Sequence, residues 1–255
     1  MNTKSLRLAA FAASLSVVSA FAQTDLEKAA AALKGGDAAA AEALVAPLAS
    51  ATPPDAAALH LLSQVRLAQK RHKEAVEAAE AATKADPAKP DYFSHLGIAL
   101  SARMGEVGFM QMAMMSGKMK AAFEKSVALD PAHVAGLIGL ARFYSNAPEI
   151  AGGSPEKAKE FAERVHALNP FVGSLELGRL AEKAEDFAGA LTRYEAALAL
   201  RPDAAGAQVS AGKVLAKLGR KDEARARFEA ALKQRPDLEA AKQALAALDA
   251  PAKAP

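Results

Sequence analysis

Two consecutive stretches decide how this chain is read: FVGSLELGRLAEKAEDFAGALTRYEAALALRPDA at 171–204 and AGAQVSAGKVLAKLGRKDEARARFEAALKQRPDL at 205–238. Laid over one another they agree where packing is decided. Leu177-Gly178 falls on Ala211-Gly212, Ala190 on Ala224, Tyr194 on Phe228, Ala197 on Ala231 and Pro202 on Pro236. Small residues at helical spacing let two helix backbones approach closely, and the aromatic fills the space between neighbouring pairs. Proline after the last turn cannot continue a helix and forces a turn before the next.

The pattern extends outward over the chain. Prolines follow helical runs at Pro53, Pro87, Pro131, Pro170, Pro202 and Pro236, at intervals of 34, 44, 39, 32 and 34 residues. Upstream of them lie matching apolar stripes: Ala75, Ala79 and Ala82; Phe123, Ser126 and Val127; Ala158, Ala162 and Val165. The first half of each unit carries a Leu followed by a small residue, at Leu62-Ser63, Leu96-Gly97, Leu140-Ala141 and Leu177-Gly178. Gly36 and Gly219 fall at turns between paired helices.

This arrangement resembles the tetratricopeptide repeat, a helix–turn–helix unit of about 34 residues. The resemblance implies an all-α, α-solenoid fold over residues 23–249, in units 22–55, 56–89, 90–133, 134–170, 171–204 and 205–238. It also implies a closing helix at 238–248 and a flexible tail at 250–255. An ALDP followed by FYSNAPEIAGGSPEKA is similar to a group of exported bacterial tetratricopeptide-repeat proteins, and that resemblance brings no catalytic residue with it.

Composition agrees with closely stacked helices. Hydrophobic residues make up 51% of the 255 but aromatics only 5%, with no Trp, so alanine and leucine must do the packing. The first 22 residues read as a secretory signal peptide: Lys4 and Arg7, an apolar core from Leu8 to Val18, then Ala20-Phe21-Ala22 before a cut between Ala22 and Gln23. No later apolar run is long enough to span a membrane, so a soluble, periplasmic protein is expected. Without Lys4 and Arg7, 30 basic residues face 29 acidic ones, and nothing concentrates positive charge enough to imply a nucleic-acid partner. There is no cysteine, hence no disulfide and no thiol nucleophile.

Two units break the period. The third is long by ten residues, and its excess is MGEVGFMQMAMMSGKMK at 104–120, which holds every methionine but the initiator. Thioethers are soft ligands, so Met110, Met112, Met114 and Met115 suggest a Cu(I) site. On a helix, however, Met110 and Met114 share one face while Met112, Met115 and Met119 share another. An extended helix with apolar residues on both faces, packing or making an adaptable contact, fits the spacing better. The fourth unit is longer between its helices, where Pro148 and Gly152-Gly153 break helix, Ser154 can cap a new one and Pro155 enters its first turn.

Catalytic signatures do not emerge. The five histidines, His60, His72, His95, His133 and His166, never stand three or four apart; His60 and His95 fall on first helices of adjacent units and could come near each other, but surface or groove positions are the reading the sequence favours. There is no Gly-x-Ser-x-Gly elbow and no glycine-rich phosphate loop, so no enzyme and no cofactor are expected. What remains is recognition: in this fold the first helices line a concave face. Its outward positions are His60, Gln64, Ser94, Ile98, Arg142, Asn146, Arg179, Lys183, Lys213 and Lys217, basic from the fourth unit onward, with Glu182 the one acid. The expected partner is another protein, through an acidic peptide segment or free carboxylate. The Lys/Asn set of the chaperone-tail carboxylate clamp is missing, so that partner is not inferred. The alternative is an envelope component that binds a small ligand or metal in association with transport.

Overall fold

The computed structural model describes residues 24–249; the expected signal peptide and tail lie outside them. Among the described residues there are thirteen α-helices, two 3-10 turns and no strand. Helix α1 runs through 24–34. Then follow α2 (Ala38–Ala49), α3 (Ala56–Ala68), α4 (His72–Ala85), α5 (Pro90–Arg103), α6 (Phe109–Leu129) and α7 (Val134–Asn146). The rest are α8 (Pro155–Leu168), α9 (Pro170–Lys183), α10 (Phe187–Leu200), α11 (Ala205–Lys217), α12 (Lys221–Gln234) and α13 (Glu239–Asp249). The chain divides into two compact units between Gly136 and Leu137, in the first turn of α7. In the first, α2 packs on α3, α3 on α4, α4 on α5, and α5 on α6; in the second, each helix from α8 to α13 packs on the next. This is the all-α architecture of stacked helical hairpins.

One turn chemistry closes four hairpins. Gly36, Lys70, Glu185 and Gly219 all sit in the left-handed region, with φ of 87°, 61°, 59° and 77°. After each, an N–H reaches back five residues: Asp37 to Ala32, Arg71 to Arg66, Asp186 to Ala181 and Arg220 to Leu215, each 2.9 Å. That is the Schellman pattern, which satisfies the last carbonyls of one helix while reversing the chain. Side chains then start the next helices: Asp37 accepts from the Ala40 N–H (2.9 Å), Asp55 from Ala57 (2.8 Å) and Asp186 from Gly189 (2.9 Å).

Hairpins close tightly because a first-helix glycine faces an aromatic ring. A Cβ on Gly97 would stand 2.5 Å from Phe123, on Gly178 2.7 Å from Tyr194, and on Gly212 2.5 Å from Phe228, all under ordinary contact distance. The alanine stripes Ala75/Ala79/Ala82, Ala158/Ala162 and Ala224/Ala231 are buried beside them. In the second unit, α13 closes the stack by burying Ala241 and laying Ala244, Leu245 and Leu248 on the last core cluster.

The two irregular segments take definite forms. Helix α6 has 21 residues where α4, α8, α10 and α12 have 14, and a 3-10 turn at Met104–Glu106 precedes it. The extra turns carry the methionines. Met115 and Met119 are buried, and the Met115 side of α6 adjoins Val76 and Glu80 of α4. Between α7 and α8, Glu149–Ala151 forms a 3-10 turn ended by Gly152 in the left-handed region (φ 87°). Ser154 then caps α8, accepting from the Lys157 N–H (3.2 Å) and donating to Glu156 (2.9 Å), with Pro155 first in the helix.

Pro170 departs from the sequence reading. Instead of standing in a turn after α8, it is the first residue of α9, and Asn169 both ends α8 and caps α9 through the Val172 N–H (3.2 Å). A one-residue link drives the first turn of α9 onto α8. A Cβ on Gly173 would lie 2.1 Å from the His166 Cα, so only glycine fits there.

Candidate functional site

In the first unit His60 and His95 meet, and His95 is buried rather than on the surface. Their rings stand edge to face at 4.8 Å, and Tyr92 lies against His60 at 4.9 Å. Ser63 Oγ donates to the Ala75 carbonyl (2.7 Å), so toward His95 Nε2, 2.9 Å away, the hydroxyl can only accept. His95 therefore carries its proton on Nε2. Gln64 Nε2 lies 2.7 Å from His60 Nε2, while His60 Nδ1 is buried without a partner. Burial holds both imidazoles neutral: the His60 pKa is lowered, with Asp91 partly opposing, and His95 is pushed down to about 4, the nearby His60 adding to the effect. Ser94 does not face outward. It is 3% exposed, and its hydroxyl donates to the Asp91 carbonyl (3.0 Å). Ile98 of α5 is 46% exposed.

The methionines separate as helix geometry requires. Met110 and Met114 are exposed, as is Phe109, Met112 is half-buried and Met115 buried. No group of three or more His, Cys, Asp or Glu residues among the described ones is placed to hold a metal ion.

In the second unit the basic positions are more organised than a row of solvated charges. Glu176 of α9 is 4% exposed and takes Arg142 of α7 through Nε (3.2 Å to each oxygen) and through Nη2. On its other side it accepts from Arg179 Nε (3.1 Å), while Arg179 Nη2 is buried without a hydrogen-bond partner. One carboxylate thus orients two guanidiniums. Lys183 donates to the Ser145 carbonyl and to Asn146 Oδ1 (3.2 Å), tying the end of α9 to the end of α7. Glu182 is engaged elsewhere, accepting from the Tyr194 hydroxyl (2.9 Å); burial and that carboxylate raise the phenol's pKa. Lys213 and Lys217 are exposed on α11. Glu176, not Glu182, is the acid that joins the basic positions, and at 4% exposure it lies off the outward-facing set. A signal existed: Glu176 stands three residues before Arg179 and 34 after Arg142, the spacing of one repeat.

No helix among the described residues is long and apolar enough to cross a membrane. No curated protein matches this chain. Solved structures do. A thermophilic tetratricopeptide-repeat (TPR) protein of Thermus thermophilus is 18% identical, with 76% of this chain and 98% of that one covered and a TM-score of 0.67. PilW, described as a widely conserved type IV pilus biogenesis factor, is 17% identical over 88% of this chain and 98% of its own, also at 0.67. Pseudomonas aeruginosa PilF is 16% identical over 89% and 97%, at 0.60. At such identities these likenesses concern the fold. The sequence itself matches the tetratricopeptide-repeat family over residues 17–90 and 175–239, more than half its length. With four hairpins closed by one turn chemistry, glycine–aromatic packing repeated along the stack and that match, the chain belongs to the tetratricopeptide-repeat family.

Proposed function

We propose that this protein is an exported, non-enzymatic interaction module of the cell envelope. Its second unit binds an acidic peptide segment of another protein on the face that carries Arg142, Arg179, Lys213 and Lys217. The observation behind this reading is the buried Glu176. Two guanidiniums share its single negative charge, so one positive charge remains uncompensated. Because Glu176 already fixes both side chains, an arriving carboxylate meets oriented donors and little further rotamer entropy is lost. Lys213 and Lys217 extend positive charge along α11 without any partner among the described residues. Stacked helical repeats offer long continuous surfaces of this kind.

The test is capture from a cell-envelope extract by wild-type protein, Arg142→Ala and Lys213→Glu/Lys217→Glu, with bound proteins identified by mass spectrometry. Both variants should keep their far-UV circular dichroism and lose the proteins that the wild type retains. Recovery of the same set by all three overturns the reading. Export rests on residues 1–22: protein recovered from the envelope should begin at Gln23, whereas a chain that keeps its first 22 residues in the cytosol removes that part of the proposal.

A further inference from the structure

The geometry points to a second binding site, on the other side of α9, for an amphiphilic anion such as a medium-chain carboxylate. A cavity of about 660 Å³ opens between the N-terminal halves of α8 and α10 and is floored by α9. Leu177, Leu180 and Ala181 form its base, and Lys159, Lys183 and Arg193 stand around it. Its volume falls within the range of small-molecule sites, and an apolar base with a few polar groups at one edge is their usual composition.

The cavity exists because of an identifiable substitution within the repeats. Three places after the small residue of the first helices stand Arg66, Leu100, Tyr144 and Leu215, following Ser63, Gly97, Ala141 and Gly212. Arg66 is half-buried, and Leu100, Tyr144 and Leu215 are buried, at 2%, 6% and 1% exposure. In α9 the same place after Gly178 holds Ala181, half-buried. Ala184 likewise stands 34 residues before Leu218, and Gly189 34 before Glu223. Smaller side chains at all three positions leave the space open.

Charge sets the polarity of the occupant. The carboxylate on the wall, Asp186, is engaged in capping α10. Lys159 faces only Glu163, 3.8 Å away and largely exposed, a pairing of little strength. Arg193 has no partner among the described residues. Helices α8 and α10 both enter by their N-terminal ends, adding the same sign. The walls are helical, so no strand edge is offered to a peptide main chain. A ligand with an apolar body and its charge at one end matches the apolar base and the cationic rim. By helical periodicity Arg179 lies on roughly the opposite side of α9 from Ala181 and is not part of this site, whereas Lys183 stands at its rim.

Sodium decanoate, titrated calorimetrically into the purified protein, should bind once per chain. Ala181→Leu, which supplies the leucine that the following repeat carries at this place, should weaken binding at least tenfold while melting at or above the wild-type temperature. Lys159→Glu/Arg193→Glu, at exposed positions, should weaken decanoate at least tenfold and leave neutral 1-decanol unaffected. Arg142→Ala should bind decanoate as the wild type does. Absence of saturable decanoate binding overturns the site, and so does binding that Ala181→Leu leaves intact. Binding lost in Met110→Gln/Met114→Gln instead would place the ligand on the exposed methionines and equally refute it.

Discussion

Acidification should loosen the first unit in a window set by His95. Its folded pKa of about 4 lies below the ordinary 6.5, because burial and the neighbouring His60 both disfavour the imidazolium. Such a group contributes stability that is fully present above pH 6.5 and is lost as pH falls toward 4, since the unfolded chain takes up the proton first. Between pH 7 and pH 5 the two titration curves imply a loss of about 2 kcal/mol, and His60, shifted in the same direction, adds to it. The carboxylates held low in the folded protein, Glu42 and Glu74 among them, act below their ordinary value of 4.5 and leave this window largely to the histidines. The assay is thermal unfolding by far-UV circular dichroism at both pH values, where about 2 kcal/mol should lower the midpoint by roughly 4–8 °C. His95→Gln keeps a donor for Ser63 Oγ and removes the titration, so its pH-dependent shift should fall to less than half that of the wild type. Equal shifts in the two proteins would mean that the buried histidine is not the sensor.

Three further outcomes follow from the packing. Gly173→Ala should destabilise by about 3 kcal/mol or more, because backbone blocks the new methyl; Gly206→Ala, in a helix with nothing within 4 Å of the added carbon, should stabilise by up to about 1 kcal/mol, and paired melting curves decide between them. Glu185→Gly should raise stability by roughly 0.5–1 kcal/mol by relieving a side chain held at φ 59°, measurable as a urea midpoint moving upward. Met119→Ala should cost about 2–5 kcal/mol and Met110→Gln close to nothing, since exposure is 8% for the first and 79% for the second.

Repetition made the fold class legible. Alanines, glycines and aromatics recurring at Ala190/Tyr194/Ala197 and Ala224/Phe228/Ala231 can bury their faces only against one another, and a local helical period carries that information without any long-range contact. The Ser154 cap and the two-faced methionine helix were readable for the same reason, because both depend on spacing within a few residues. Gly36 and Gly219 marked their turns, whereas Lys70 and Glu185 adopt the same left-handed geometry with no residue that announces it.

What the tertiary structure alone decided lies between helices. Ser94 turned inward to the Asp91 carbonyl, and Pro170 opened a helix because Asn169 could serve both ends. The Arg142–Glu176–Arg179 cluster depends on partners one repeat apart meeting across α7 and α9, and the cavity over Ala181 on what the flanking helices fail to fill. Helical periodicity is a property of consecutive residues, and one chain displays it outright. Ion pairing and empty space belong to side chains brought together from distant segments, and they acquire definite values only when those segments have packed.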